Sequence, residues 1–264
     1  MKEFLLYLTT TWWGILCYCV VALVVLIALS ALLYKPFFKR FYDILLSGIA
    51  ILVLSPILLL LIILGAIKMK GNPFFTQLRP GKINKKTGKE KIFKLIKFRT
   101  MTCEKDENGN FLPDEVRLTK YGKLLRSTSL DELPELLNIF LGHMSIVGPR
   151  PQLVKDMVFM TDEQRKRHLV RGGLTGLSQV SGRNNISWEQ KFEYDLQYIK
   201  KISLFGDIKI IFLTAFKVLK RSDVEREGTV SDIDFGDWLL EKGEITKEEF
   251  DAKVNLSKEI LKMA

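Results

Sequence analysis

Residues 44–67 read ILLSGIAILVLSPILLLLIILGAI, a run of 24 residues without a formal charge. At about 1.5 Å of rise per residue, a straight helix of that length reaches roughly 36 Å and is long enough to cross a bilayer. The flanks argue against a simple crossing. Lys35, Lys39 and Arg40 precede the run, and Lys68, Lys70 and a long basic stretch follow it. Basic clusters favour the cytoplasmic side, and a spanning helix would leave one of them outside. Ser55-Pro56 stands at the middle, where proline removes a backbone donor and crowds the preceding turn. The pattern predicts a re-entrant, broken helix that enters and leaves on one face. The competing reading is a Pro-kinked spanning helix, which bilayers tolerate.

Working outward, Phe4 to Tyr34 is a second uncharged run, of 31 residues, carrying Trp12, Trp13 and an unbroken aliphatic stretch from Val20 to Ile27. A signal-peptide core of about 7 to 15 residues is too short to account for it. A transmembrane anchor over 1–36 is expected, with the N-terminus outside. The basic excess lies just beyond: residues 35–105 hold 15 basic and 3 acidic side chains, +12 of a whole-chain charge of +10. Charge of that sign beside a membrane segment suits anionic lipid or a phosphorylated ligand. Cys17, Cys19 and Cys103 form neither a disulfide framework nor a zinc motif. His143 and His168, the two histidines, argue against a His-rich metal site.

Beyond the membrane runs, two segments rich in Phe, Ile and Leu between Phe74 and Thr100 flank Asn84-Lys85-Lys86-Thr87-Gly88-Lys89, the pattern of a β-hairpin. Leu133, Leu136, Leu137, Phe140 and Leu141 repeat at helical spacing and predict a helix buried along that stripe. Further helices are expected at about 161–170, 188–202 and 207–219. Arg171-Gly172-Gly173 and Ser181-Gly182-Arg183 separate them, supplying positive φ and close backbone approach. From 222 to 264 the chain turns acidic, with 12 acidic and 6 basic residues, and Thr246 with Glu249 forms a capping box. The expected architecture is α+β and predominantly helical. It divides into an anchor (1–36), a compact domain at the cytoplasmic face (37–221, including the re-entrant segment 44–67) and an acidic helical hairpin (222–264).

The chemistry concentrates in Thr128-Ser129-Leu130-Asp131-Glu132-Leu133-Pro134-Glu135-Leu136 and in Val147-Gly148-Pro149-Arg150-Pro151. Asp131 and Glu132 are adjacent carboxylates at a helix start, with Pro134 in its first turn. Two readings are open: a charge pair favoured by the helix dipole, or a pair that holds a hard cation such as Mg²⁺ and offers one oxygen as nucleophile. Lys97, Arg99, Arg126, Arg150 and Arg183 supply candidate phosphate contacts, since the guanidinium fork matches phosphate oxygens two at a time. Pro149 and Pro151 stiffen the loop that presents Arg150. Solvated surface charge is the bland alternative for each base taken singly.

Taken together, the chain resembles the bacterial sugar transferases, the monotopic polyprenyl-phosphate phosphoglycosyl transferases. The matching pieces stand in the family's order: Lys39-Arg40-Phe41-Tyr42-Asp43, Ser55-Pro56, Gly71-Asn72-Pro73-Phe74-Phe75 with Gln77, Arg79 and Gly81, and Lys97-Phe98-Arg99-Thr100-Met101. Ser129 to Pro134, Val147 to Pro151, Leu174 to Leu177, Gln179 to Arg183, Tyr198, Ser203-Leu204 and Asp207 continue the match, which covers about residues 37–220. His143, Ser178 and Arg171-Gly172-Gly173 depart from the common pattern.

The resemblance implies transfer of a sugar 1-phosphate from a UDP-sugar to polyprenyl phosphate. Asp131 would form a covalent phosphosugar and release UMP, and Glu132 would hold Mg²⁺. Lys97, Arg99, Arg126, Pro149, Arg150, Pro151 and Arg183 would form the substrate site, and the Ser55-Pro56 break would seat it at the cytoplasmic face of the bacterial inner membrane. The competing functions are a membrane-bound Mg²⁺-dependent phosphatase or phosphodiesterase, and a non-catalytic adaptor for anionic lipid. Nucleic-acid binding is disfavoured, since no finger, RNA-binding aromatic signature or dimerising basic helix is present.

Overall fold

The computed structural model describes residues 11–182, 186–220 and 233–263. Helix α1 (Trp12–Leu32) starts where Thr11 Oγ1 accepts the Gly14 N–H at 3.1 Å. Pro36 contributes no N–H, and a π-helical turn (Tyr34–Phe38) joins α1 to helix α2 (Lys39–Lys68). Both helices are long and apolar enough to cross a membrane. Their outward faces are bare hydrocarbon, with Leu52 75% and Val53 69% exposed, as suits lipid rather than water.

The expected break at Ser55-Pro56 is not a gap in the helix. α2 runs through Pro56, and the Leu52 carbonyl that loses the proline's N–H accepts the Ser55 hydroxyl instead, at 2.7 Å. A serine in front of the proline supplies the missing donor locally, so the helical assignment survives.

Strands β1 (Phe74–Ile83) and β2 (Glu90–Phe98) form the antiparallel hairpin that the turn residues predict, with Phe74 opposite Phe98 and their rings stacked 5.5 Å apart. Helix α3 (Lys120–Ser127) and a 3₁₀ turn (Leu130–Glu132) lead into helix α4 (Glu135–Leu141). The stripe read from the sequence is only partly the buried one. Leu136 and Ile139 pack against Phe93, Leu95 and Met144, whereas Leu137, Phe140 and Leu141 are exposed. The reason is that α4 serves two neighbours. Asn138 is tied to the Ile96 N–H and the Lys94 carbonyl of β2, while the Phe140 ring lies against Gly48 of α2.

A second, parallel ladder joins β3 (Ser145–Val147) to β4 (Gly173–Thr175), and the alternation of these three-residue strands is too short to read in sequence. Gly173 is needed there for close approach, since a Cβ would fall 2.1 Å from the Gly148 nitrogen. Neither Gly172 nor Gly173 has positive φ, so only half of the expectation for that pair holds. Helices α5 (Trp188–Lys200) and α6 (Leu204–Lys220) follow, then α7 (Phe235–Glu241) and α8 (Lys247–Met263). Glu249 N–H donates to Thr246 Oγ1 where the capping box places the start of α8. Phe235, Leu239 and Phe250 share one core with Phe159, Met160, Trp188 and Phe192, so the last two helices are packed into the domain.

Helix α2 is fastened to this domain at both ends. Near its start, Asp43 Oδ1 accepts Ser145 Oγ at 3.0 Å and Ile146 N–H at 2.9 Å. Lys39 donates to Val147 O and to Asp207 Oδ2, and Arg40 donates to the Ile139 and Phe140 carbonyls at the end of α4. Toward its other end, the Leu61 carbonyl accepts Tyr121 OH at 3.0 Å, and Leu61 packs on Phe98 and Leu125.

Asp43→Ala strips two buried donors of a charged acceptor, a loss of about 2–4 kcal/mol of stability. Asp43→Asn should lose less, because one amide oxygen remains to accept. Unfolding in detergent, followed by protease susceptibility of the 145–151 segment, measures both; an unchanged Asp43→Ala profile would show that this junction does not hold the domain.

Candidate functional site

Between α3 and α4 the chain reverses through Ser129, whose φ of +56° lies in the left-handed region that side chains other than glycine seldom adopt. The turn delivers Leu130, Asp131 and Glu132 as one 3₁₀ segment, so the carboxylates precede α4 rather than ride on it. Strand β2 brings Lys97 from one side, and the loop after β3 brings Arg150 from the other. Lys97 Nζ donates to Glu132 Oε1 at 2.7 Å, and Arg150 Nη2 donates to the same oxygen at 2.8 Å. Glu135 enters the group from the first turn of α4, 3.2 Å from Lys97 and buried.

Two neighbouring carboxylates therefore have opposite electrostatics. Burial would raise the Glu132 pKa, but Arg150 and Lys97 outweigh it and hold the group below the usual carboxylate range. Asp131 has no hydrogen bond or ion pair among the described residues. Burial, then the charge of Glu132, push its carboxyl up to about 6 against the pull of Lys97, Arg126 and Arg150. Glu135 rises to about 7, chiefly through burial. The result is an unpaired Asp131 beside a Glu132 whose Oε1 takes both cations, an arrangement that leaves the Asp131 oxygens without a competing partner.

Of the residues singled out from sequence, Lys97, Asp131, Glu132 and Arg150 come together, with Arg126 near enough to influence Asp131 while its Nε is held by Thr100 Oγ1 at 3.1 Å. Pro149 and Pro151 frame Arg150 as expected. The Arg99 side chain makes no hydrogen bond or ion pair to this group among the described residues. Arg183 lies outside the described residues. Glu135 and Arg79 were missed. Glu135 follows Glu132 by three residues on a helical turn, a spacing that puts both on one side. Arg79 sits on β1 and reaches a narrow polar pocket that it shares with Lys97, Glu135, Arg150 and Pro151. A larger, mostly apolar cavity of about 360 Å³ opens on the other side of Glu132, lined by Leu133, Ile146, Leu174, Val180 and Ile211.

No group of three or more His, Cys, Asp or Glu side chains converges as a metal cage among the described residues. Mg²⁺ is commonly bound through one or two carboxylates plus substrate phosphates and water. The donor set here, Glu132 beside basic groups suited to phosphate, fits a cation that arrives with a phosphorylated substrate.

Residues 34–221 match the model of the bacterial sugar transferase family. An uncharacterized sugar transferase of Bacillus subtilis, EpsL, is 45% identical over 193 residues, which are 73% of this chain and 93% of that protein. The UDP-glucose:undecaprenyl-phosphate glucose-1-phosphate transferase of Klebsiella pneumoniae is 40% identical over 68% of this chain, which spans 40% of that enzyme's length. The exopolysaccharide production protein ExoY of Rhizobium meliloti is 38% identical over 67% of this chain and 83% of its own.

In metal-free protein, a ¹³C-carboxyl titration should put the Asp131 midpoint near the value of about 6 rather than the ordinary 3.8. Lys97→Met removes a charge that favours the ionised form, so the midpoint should rise, whereas Glu132→Gln removes a repelling charge and should lower it. A midpoint that neither variant moves would mean that Asp131 is screened from both neighbours.

Proposed function

The chain belongs to the bacterial sugar transferase family, and from that premise we propose that it transfers a sugar 1-phosphate from a UDP-sugar to polyprenyl (undecaprenyl) phosphate, opening the assembly of a surface glycan or exopolysaccharide. The observation that carries the proposal is the asymmetric carboxylate pair: Asp131 unpaired, and Glu132 paired through Oε1 alone with Lys97 and Arg150. An Asp131 carboxylate oxygen attacks the phosphorus that bears the sugar. The bond to the UMP oxygen breaks, and the phosphosugar remains on Asp131 as an acyl phosphate. An oxygen of the polyprenyl phosphate then attacks the same phosphorus, the phosphorus–oxygen bond to Asp131 breaks, and the carboxylate is restored with the lipid carrying a diphosphate sugar.

Lys97, Arg126 and Arg150 balance the charge of the diphosphate as it is held in line for attack. Mg²⁺, held by Glu132 and the substrate phosphates, would neutralise the leaving UMP. The apolar cavity beside Glu132 suits the hydrocarbon of the acceptor, and the acyl phosphate is formed where that lipid can reach it. The metal-dependent phosphatase reading draws on the same carboxylates but provides no use for an apolar cavity lined in part by Glu132.

We further propose that α2 is re-entrant, with both ends at the cytoplasmic face of the inner membrane and anionic lipid against the basic stretch. The support is that one domain holds both ends: Asp43 and Lys39 bond to β3, and Leu61 bonds to Tyr121. A helix crossing the bilayer would place those contacts on opposite sides.

Purified protein given UDP-sugars singly should release UMP, and sustained turnover should require polyprenyl phosphate. Without acceptor, label from the sugar phosphate should stay on the wild type and be absent from Asp131→Asn, which should release no UMP. Continuous release of sugar phosphate without lipid would favour the hydrolase instead. Chelator should stop the reaction and Mg²⁺ restore it, and a Glu132→Gln protein with an unaltered Mg²⁺ dependence would remove that residue from the metal site. With Cys17, Cys19 and Cys103 replaced, Phe37→Cys and Lys70→Cys should both resist impermeant labelling of intact cells; labelling of just one would show a true second crossing.

A further inference from the structure

The loop that presents Arg150 has little means of holding itself. Pro149 and Pro151 bring no N–H, so its main chain is anchored chiefly through acceptors. Three successive carbonyls are taken by three separate elements. Pro149 O accepts the Gly173 N–H of β4 at 2.9 Å, Arg150 O accepts Arg167 Nη2 at 2.7 Å, and Pro151 O accepts Arg79 Nη1 at 3.1 Å.

Both arginines are costly where they stand. Arg167 is 1% exposed and is bound by its Nε and Nη2 to Asp195 Oδ2, at 3.0 and 2.6 Å, with Ser178 Oγ donating to Asp195 Oδ1. Its Nη1 finds no partner. Arg79 has no ion pair among the described residues. Its Nη2 donates to Gln77 Oε1 at 2.6 Å, and its Nε is buried without a partner. Buried guanidinium groups with orphaned donors are a net burden on folding, and what the two have in common is a grip on consecutive carbonyls of one loop.

We propose that Arg167 and Arg79 are positioning residues, which clamp the main chain at Arg150 and Pro151 so that the Arg150 guanidinium is held against Glu132 and the substrate diphosphate. The proposal rests on Arg150 being a substrate contact, as read above. Asp195 and Ser178 are the rear support of the clamp: they fix the plane of the Arg167 fork, whose Nη2 serves carboxylate and carbonyl together. Lysine at either position keeps the charge but lacks the planar fork, so it cannot serve two acceptors in the same geometry.

The test is a double-mutant cycle in the full-length, membrane-inserted protein, reading UMP release and thermal unfolding. In the native Arg150 background, Arg167→Lys and Arg79→Lys should each lower kcat by about three- to tenfold, the rate equivalent of one lost hydrogen bond, with KM for UDP-sugar changing less. In the Arg150→Ala background the same changes should have little further effect. Equal fold-losses in both backgrounds, or losses that follow the unfolding temperature, would overturn the clamp and leave the two arginines as ordinary structural groups. If Arg167→Lys does not accumulate in the membrane, the Arg79→Lys cycle decides by the same criterion. Wild-type activity in Arg150→Ala alone would overturn the substrate reading of Arg150. A tenfold loss there, with additive clamp variants, would overturn only the clamp.

Discussion

The Asp43 carboxylate is the joint on which the rest of the molecule turns. It sits near the start of the membrane helix, is almost fully buried, and accepts the Ser145 hydroxyl and the Ile146 amide of β3. A buried carboxylate demands such donors, so the helix and the strand fix one another. β3 in turn runs directly into Gly148-Pro149-Arg150-Pro151 and pairs with β4, which anchors the same loop through Gly173. The seating of the long apolar helix and the placement of the Arg150 loop therefore meet at one three-residue strand. Lys39, Tyr34 and Tyr198 extend the joint to Asp207 at the start of α6.

The chemistry depends on unequal treatment of like groups. Asp131 and Glu132 are neighbours in the chain, and either could have taken the two cations that approach. The 3₁₀ turn after Ser129 aims Glu132 at Lys97 and Arg150 and leaves Asp131 without them. Pairing lowers the pKa of one carboxylate, while burial beside that charge raises the pKa of the other. Environment, rather than residue type, separates the two roles.

The last two helices belong to the same body. Phe235 N–H donates to Asp156 Oδ1, Lys155 pairs with Asp234 and Asp237, and Phe235 packs edge-on against Phe192. Phe192 also lies 5.6 Å from the Arg167 guanidinium. The family match ends at residue 221, just past α6, yet the core it leaves behind is closed by side chains from 235 to 250.

The sequence by itself determined the elements whose signal is local. Uncharged runs specify membrane helices by length, Asn84 to Lys89 marks the hairpin turn, Thr246 and Glu249 start the last helix, and the order of the motifs carries the family. Ser55-Pro56 carries its own repair: the proline removes a backbone donor, and the adjacent hydroxyl supplies the Leu52 carbonyl with another. Tertiary structure alone decided what depends on distant partners. It chose which face of α4 is covered, because two neighbours compete for that helix. It also formed the β3–β4 ladder and brought Glu135 and Arg79 to the site. Hydrophobic period and turn chemistry act over a few residues, whereas a carboxylate's charge is set by groups brought from 18 and 35 positions away in the chain.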